Sequence, residues 1–312
     1  MKLQRDLLAA LVVIVFLVLA PLFLAQHQYL LFMMFLLFIY VTLSVSWNLV
    51  GGYAGQLNLA HAAFFGTGAY TLAMLMNAGV NPYLCMLLGG FMAVAMCIVV
   101  IPCFKLRGTY FAVGTLLLPE IMKIIIINVR ELGGASGLHL PVPSKFDISL
   151  YYYLAFALAL ATILVSYKVV NSKIGYTFYA IGDDEDAAES VGVPTLKYKI
   201  LALLLSAFFA GIAGSVFAYY FLYVEPYHAF GIEWTIYPIF MVLLGGIRTM
   251  KGPIVGAVIF TGLYYILTVY ITELSLIIFG FLLVLITIFM PEGLVPRIST
   301  ILASKKVKGL KT

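Results

Sequence analysis

Charge is scarce in this sequence. Asp, Glu, Lys and Arg make up 10% of its 312 residues, against about 25% in a typical soluble domain. Hydrophobic residues make up 64%, so there is too little polar surface to cover a water-facing globule, and lipid must solvate much of the chain. Cysteine is equally scarce. Cys85, Cys97 and Cys103 sit in or at the end of one apolar stretch, with no His or Cys at a spacing suited to a metal, and read as small packing residues. No G-x-x-x-x-G-K-[ST] loop occurs, so the chain does not bind ATP in the P-loop manner, and any pumping draws energy from a partner or an ion gradient. There is no Ser-x-x-Lys, no pair of carboxylates placed at a cleft and no metal-ligand cluster. No catalytic residue is assigned, and neither a cofactor nor a nucleic-acid partner is expected.

What the chain has is long apolar runs. A bilayer core of about 30 Å needs roughly 20 apolar residues per helix. Ten segments qualify: 7–25, 29–50, 57–76, 83–104, 109–130, 149–170, 197–222, 234–250, 252–270 and 275–291. They use up most of the chain, so residues 1–312 read as a single all-α transmembrane domain. Glycine or polar residues interrupt the third, eighth and ninth, which are open to being broken or re-entrant. Lys2, Arg5 and the run to Ala25 look like a signal peptide, but the run is long for one and no small-x-small site ends it, so a retained first span is expected.

Ten crossings put both termini on one side. With that side inside, fifteen of the eighteen Lys and Arg fall in inner loops and tails, Arg130 and Lys145 fall outside, and Lys123 lies within a span. This is the positive-inside asymmetry. The largest inner loop is 171–196. The largest outer one is 131–148, with Gly133-Gly134 and Pro141-x-Pro143. The basic tail, 292–312, suits anionic lipid heads. Two stretches also echo each other at an offset of 194: Leu49-x-Gly51-Gly52 with Thr67-Gly68-x-Tyr70, and Leu243-x-Gly245-Gly246 with Thr261-Gly262-x-Tyr264. Gly-interrupted segments in corresponding halves point to a transporter's central site; chance similarity in low-complexity apolar sequence is the competing explanation.

Polar residues carry the rest of the reading. In the inner loop, Asp183 or Asp184 can cap a helix. Carboxylates crowd its first turn, where the helix dipole favours them. Gly192 suits a left-handed position past its end, and Pro194 forbids continuation. A short helix over about 184–191 follows. Lipid-binding interfacial helices are rich in Lys and Arg, whereas this one is acidic, with Ala187 and Ala188 between Glu185 and Glu189. That pattern suits a groove in another protein; the alternative is a solvated connector.

Further upstream, Gly51, Gly52 and Gly55 precede a stretch in which Asn58, His61 and Phe65 share a helical face and Ala62, Gly66 and Ala69 form a small-residue face beside it. Gln56, Asn58 and His61 are costly against lipid and belong in the bundle interior or along a watery path. They either line or gate a route or form an interhelical hydrogen-bond lock. Glu120 and Lys123 are spaced to pair within the fifth span, just after Pro119, which loosens the helix. They read either as an internal salt bridge or as part of an ion-coupled path. Ala207, Gly211, Ser215 and Ala218 form a close-packing stripe on the seventh span. Glu225, His228 and Glu233, ahead of an interfacial Trp234, read as a solvated loop or as a contact for a delivered solute or an outer partner.

At these residues the sequence resembles the permease subunits of branched-chain amino-acid ABC transporters, of the Liv M type, over nearly the whole chain after the first span. The blocks, in order, are Gly51 to Tyr70; Leu106-Arg107-Gly108-x-Tyr110-Phe111-Ala112 with Thr115 and Glu120; Gly133-Gly134-Ala-Ser-Gly137-Leu138; Ala180-Ile181 with Asp184-Glu185, Ala187-Ala188-Glu189 and Gly192; Leu244-Gly245-Gly246, Gly252-Pro253 and Gly256; and Pro291-Glu292-Gly293-Leu294. The resemblance implies an importer in the prokaryotic cytoplasmic (inner) membrane. Its other parts would be a second, homologous permease, two cytoplasmic ABC ATPases and an extracytoplasmic binding protein delivering leucine, isoleucine, valine or a related small molecule. It assigns ATPase coupling to Gly175, Ala180, Asp184, Glu185, Ala187, Ala188, Glu189 and Gly192. It assigns the path or gate to Gly55, Gln56, Asn58, His61, Phe65 and Glu120. The sequence departs from the family at Gly182, where a basic residue is common, and at Pro119. Urea, amides and short organic acids are related substrates. An ion-coupled carrier leaning on Glu120, Lys123 and His61 is the rival, and a membrane scaffold would leave the polar face unexplained.

Overall fold

A computed structural model describes residues 2–24, 26–106, 108–142 and 146–270, together with 278, 280, 281, 284, 285, 293–297 and 300. Arg107, Pro143, Lys145, Pro291, Glu292, most of segment 275–291 and the basic tail beyond 300 lie outside the described residues.

The elements in chain order are α1 (Lys2–Leu24), α2 (Gln28–Trp47) with a widened π turn (Asn48–Tyr53), α3 (His61–Asn77), α4 (Pro82–Val100), α5 (Thr109–Asn128), β1 (Leu138–His139), α6 (Ile148–Val170), α7 (Lys173–Asp183), α8 (Glu185–Ser190), α9 (Thr195–Phe221), β2 (Tyr223–Val224), α10 (Pro226–Ala229), α11 (Glu233–Gly245) and α12 (Gly252–Tyr270). The chain is an all-α membrane protein, as its composition requires. Among the described residues six helical runs are long and apolar enough to cross a bilayer: Gln28–Tyr53, Pro82–Lys105, Thr109–Asn128, Ile148–Val170, Thr195–Phe221 and Pro226–Gly245; Leu11–Leu24 and Gly252–Leu267 are shorter apolar helices. Reaching ten crossings also needs α3 and segment 275–291, most of which lies outside the described residues.

Two differences from the sequence expectation have local causes. The third segment becomes helical only at His61, because residues 55–60 are non-helical. The loop 171–196 holds two helices where one was expected, because Ser172 caps a separate start for α7 by accepting from the Ile174 N–H at 3.2 Å.

Small residues set the packing. Lipid tails are as apolar as leucine, so helices in a bilayer associate through close fit and hydrogen bonds. The tightest group is α3, α4 and α9. A Cβ on Gly68 would lie 1.9 Å from the Gly211 carbonyl oxygen, and one on Gly214 would lie 1.9 Å from the Phe65 carbonyl oxygen. Into this backbone contact Ser215 Oγ donates to the Gly68 carbonyl at 2.8 Å. The stripe read on the seventh span is thus the seam of the bundle. On its other side α2 packs against α6 and against the α11–α12 hairpin. Gly245 and Gly252 touch where that hairpin turns, a Cβ on Gly245 falling 1.7 Å from the Gly252 oxygen.

The proline defect in α1 is answered by a neighbouring helix. Pro21 lacks the N–H that would bond the Leu17 carbonyl within α1, and Tyr152 donates its hydroxyl to that carbonyl instead, at 2.7 Å. At the end of the bundle where α9 finishes, β1 and β2 pair antiparallel, and Asn77 Nδ2 donates to the His139 carbonyl at 3.1 Å. The opposite end carries α7 and α8. Cys85 and Cys97 are buried and Cys103 half-buried, as packing residues should be. The helix α5 stands at the rim. Tyr110 is 77% exposed, and Val113, Leu117, Ile121, Ile124 and Ile125 are also exposed.

The seam predicts that Gly68→Leu lowers the melting temperature of the detergent-solubilised chain by 10 °C or more, or abolishes its monodisperse peak. Gly262→Ala, where an added Cβ meets nothing within 4 Å, should leave the melting temperature unchanged or raise it slightly. Equal behaviour of the two variants would contradict the packing.

Candidate functional site

The site begins where α2 loses its regular pitch. Gly51 lies under the Trp47 ring and Gly52 against the Asn48 amide: a Cβ would sit 2.2 Å from the indole and 2.0 Å from Asn48 Oδ1, respectively. With no side chains there, Trp47 and Asn48 fold back over their own helix and the turn widens into a π turn, a feature frequent at functional sites. Gly55, at φ +69, then turns the chain into the non-helical segment 55–60 in a conformation glycine adopts at little cost.

Irregular backbone at membrane depth survives only if protein or a watery cavity satisfies its polar groups. Here side chains do most of it. Trp47 Nε1 donates to the Asn58 carbonyl at 2.8 Å. Asn58 Oδ1 accepts from the Ala60 N–H at 3.0 Å. Thr115 of α5 accepts from the Leu59 N–H at 3.0 Å. Thr235 of α11 accepts from the Ala62 N–H at 2.9 Å. His61 Nε2 lies 3.4 Å from Ser46 Oγ, and the Phe65 ring stacks on Trp234 with centroids 4.0 Å apart. Asn58, His61 and Phe65 are wholly buried, so all three point into this chain and fasten the break, though Asn58 lies ahead of the helix and shares no helical face with the other two. Gly55 and Gln56 differ. With Leu57 they line a cavity of about 440 Å³ whose other walls are Leu106, Gly108, Thr109 and Phe111 and the acidic trio Asp184, Glu185 and Asp186.

That trio opens α8. Asp184 is the cap, its Oδ1 accepting from the Ala187 N–H at 2.9 Å, and Gly192 takes the left-handed conformation at φ +87. Several residues assigned to coupling face inward. Glu185 pairs with Lys199 of α9, which is buried with its ammonium 5.6 Å from the Phe104 ring centre. Glu189 accepts from Thr195 Oγ1 at 2.5 Å. Ala188 is buried, and Gly175 sits so close to the end of α6 that a Cβ would meet the Val170 oxygen at 2.0 Å. The outward surface is acidic: Asp183, Asp184, Asp186 and Glu189 are exposed beside Ala187, Ser190, Val191 at 80% exposure and, on α7, Tyr176 at 72% and Ala180.

Arg248, which sequence reasoning counted only among the inner cations, ties these parts together. It lies in the turn between α11 and α12. Its Nε donates to the Gly52 carbonyl at 3.0 Å, and its two terminal nitrogens reach Asp183 Oδ1 and the Gly182 carbonyl. Its backbone N–H donates to Asn48 Oδ1 at 3.2 Å. Asn48 Nδ2 returns a bond to the Thr249 carbonyl at 3.1 Å. The two stretches that echo each other at offset 194 therefore meet at their glycine breaks. Gly182 is where the guanidinium rests. A Cβ there would collide with Arg248 and with the Tyr53 carbonyl, at 2.7 and 2.4 Å. The only available sequence signal was the absence of a side chain at 182.

Two further features complete the geometry. Glu120 and Lys123 pair on α5 at 2.5 Å, with Glu120 51% exposed on the open rim. Near the β-ribbon end, Phe65, Ala69, Phe217, Phe221, Tyr223, Glu225 and His228 surround a mainly apolar cavity of about 160 Å³, and His228 lies 3.5 Å from Glu233.

A family model described as branched-chain amino acid transport system / permease component matches residues 29–287. The chain belongs to this permease family. It is a permease component of an ABC importer rather than an enzyme. It is 29% identical over 290 residues to the high-affinity branched-chain amino acid transport system permease protein LivM of Escherichia coli K12, covering 83% of this chain and 68% of that one. It is 24% identical over 219 residues to a probable LivM of Methanocaldococcus jannaschii, covering 64% of each. It is 27% identical over 215 residues to the autoinducer 2 import system permease LsrC of Yersinia pseudotuberculosis (strain IP 31758), covering 66% and 60%. No solved structure matches the chain.

In this permease the Glu185–Lys199 pair holds α8 against α9. Lys199 is 4% exposed and Glu185 24%, so the two partners are unequal. Glu185→Leu strands a buried cation and should cost about 3 kcal/mol. Lys199→Met leaves a carboxylate that water reaches and should cost less. Thermal unfolding of the two variants in one detergent tests this; the reverse order would contradict the pairing.

Proposed function

We propose that the permease forms half of a translocation path for branched-chain or other hydrophobic amino acids, with residues 171–196 docking a cytoplasmic ATPase. The observation that carries this is the 440 Å³ cavity, in which Gly55 and Gln56 of the helix break and Asp184 to Asp186 of the docking segment share one space. A partner that displaces α8 changes the shape of the cavity beside the break. The outward α7–α8 surface has Val191 and Tyr176 exposed beside small residues and the carboxylates of Asp184, Asp186 and Glu189, a composition that suits a protein contact with a basic rim and not an anionic lipid surface.

The second permease subunit belongs against α5. A charged pair at membrane depth belongs against protein or a water-filled cavity, yet Glu120 is half-exposed on the rim of this chain. A homologous subunit facing α5 would enclose Glu120 and Lys123 together with the apolar residues around them, and the path runs along that seam. Ten crossings with both termini cytoplasmic, in the inner membrane, put α7, α8 and Arg248 inside. They put the β-ribbon and the 160 Å³ cavity outside, where a binding protein delivers solute. That cavity is lined mostly by aromatic and aliphatic groups, which suits an apolar side chain.

Uptake by the assembled importer in proteoliposomes tests the reading. ATP-driven accumulation of leucine, isoleucine or valine is expected, with little competition from autoinducer 2. Strong competition by autoinducer 2 with no amino-acid uptake would move the assignment to the substrate that the LsrC relatives are named for. Val191→Arg is expected to release the ATPase from the purified complex while the permease still inserts. Full retention of the ATPase would overturn the docking assignment.

A further inference from the structure

We propose that Arg248 is the positioning residue that makes the link between the docking helices and the helix break work in both directions. The inference rests on the reading of residues 171–196 as the ATPase-docking segment.

Beside the edge-on packing of Tyr179 against Tyr53, which like any van der Waals contact opens under tension, two kinds of contact join α7 to the break. One is direct backbone contact: a Cβ on Gly55 would lie 2.9 Å from the Gly182 Cα, and a Cβ on Gly182 would lie 2.4 Å from the Tyr53 oxygen. Such a contact transmits compression. Backbones this close cannot approach further, so pushing α7 inward moves residues 53–55. It transmits no tension, because bare van der Waals contact simply opens when its sides are drawn apart. The other is the guanidinium. It holds Asp183 and the Gly182 carbonyl on one side and the Gly52 carbonyl on the other. These are directional, charge-assisted hydrogen bonds that resist separation. Pulling on α7–α8 therefore draws Arg248, and Arg248 draws Gly52.

The backbone of Arg248 points the same way. It takes φ +59, one of two positive values among non-glycine residues described. That conformation is costly for a side-chain-bearing residue and persists where surrounding contacts over-determine it. Those contacts are on both flanks. Its N–H is held by Asn48 Oδ1, and its carbonyl accepts from the Tyr179 hydroxyl at 3.3 Å. Tyr179 packs edge-on against Tyr53 with centroids 5.1 Å apart. The residue is clamped between α7 and the π turn from both its side chain and its main chain. Alternating access needs a stroke and a return, and an ATPase biases either only through differential contacts in the two states. Contact supplies the push, and Arg248 supplies the pull.

Arg248→Gly is the cleanest removal, because glycine accepts the left-handed backbone. In the assembled importer with its ATPases and binding protein, reconstituted in proteoliposomes, the expected result has three parts. The ATPase still co-purifies, ATP hydrolysis stays within about two-fold of the parent, and solute transported per ATP falls by about ten-fold, the size of a typical coupling loss. Arg248→Lys keeps the charge but not the three-way fork, and should fall between. Asp183→Ala removes one acceptor at the exposed end and should lower transport per ATP in the same direction by a smaller factor. Unchanged transport per ATP in Arg248→Gly and Asp183→Ala would overturn the proposal. Loss of the ATPase from the Arg248→Gly complex would also overturn it, since Arg248 would then only hold the platform in shape. The underlying docking reading fails separately, if Val191→Arg keeps both the ATPase and full coupling.

Discussion

Every structural choice at the centre of this protein follows from one constraint: a backbone N–H or C=O inside a bilayer must find a partner within the protein. Regular helices meet it automatically. The break at 48–60 does not, and its partners converge from four elements. Trp47 comes from the helix that breaks, Thr115 from α5, Thr235 from α11 and Arg248 from the turn between α11 and α12. A helix interrupted at this depth is therefore also a hub, because satisfying it obliges neighbouring helices to hold it. Any movement of those neighbours is felt at the break.

The same constraint sorts the charges. Lys199 and Glu185 are mutually neutralised where α8 meets α9, and Arg248 is spent on carbonyls and Asp183. Glu120 is paired with Lys123 but left open to the rim. The enclosed groups organise this chain. The one on the rim is where the proposed assembly seats its second permease subunit. The glycine seam of α3, α4 and α9 gives that edge a rigid backing, since backbones in contact have no side chains to rearrange.

Much of this was legible in the residues. Gly192, Pro194 and the acidic turn predicted the short helix over 184–191, which is found at Glu185–Ser190 with Asp184 as its cap. The i, i+3 spacing predicted the Glu120–Lys123 pair, and the stripe Ala207, Gly211, Ser215 and Ala218 predicted close packing on the seventh segment. Three things were not legible. Helical periodicity assigned Asn58 a helical face, whereas it lies in the non-helical segment 55–60, whose backbone is held by Trp47, Thr115 and Thr235 through contacts that a local period does not register. The spacing of Glu185 and Ala188 says that they share a turn, not that Lys199 turns one of them inward. Arg248 looks like any positive-inside cation, and its role depends on Asn48 and Gly182, 200 and 66 residues away in sequence. Long-range clamps of this kind leave no local pattern.

The central claim is that this chain is one of the two permease subunits of a four-part membrane assembly, coupled to an ATPase through α7 and α8. It is tested most directly by mild-detergent purification of the tagged chain from its native membrane and measurement of the mass and composition of the intact complex. A particle holding two ATPase copies, this chain and one homologous permease is the expected result. A chain that runs alone, in detergent that preserves other membrane complexes, would contradict it.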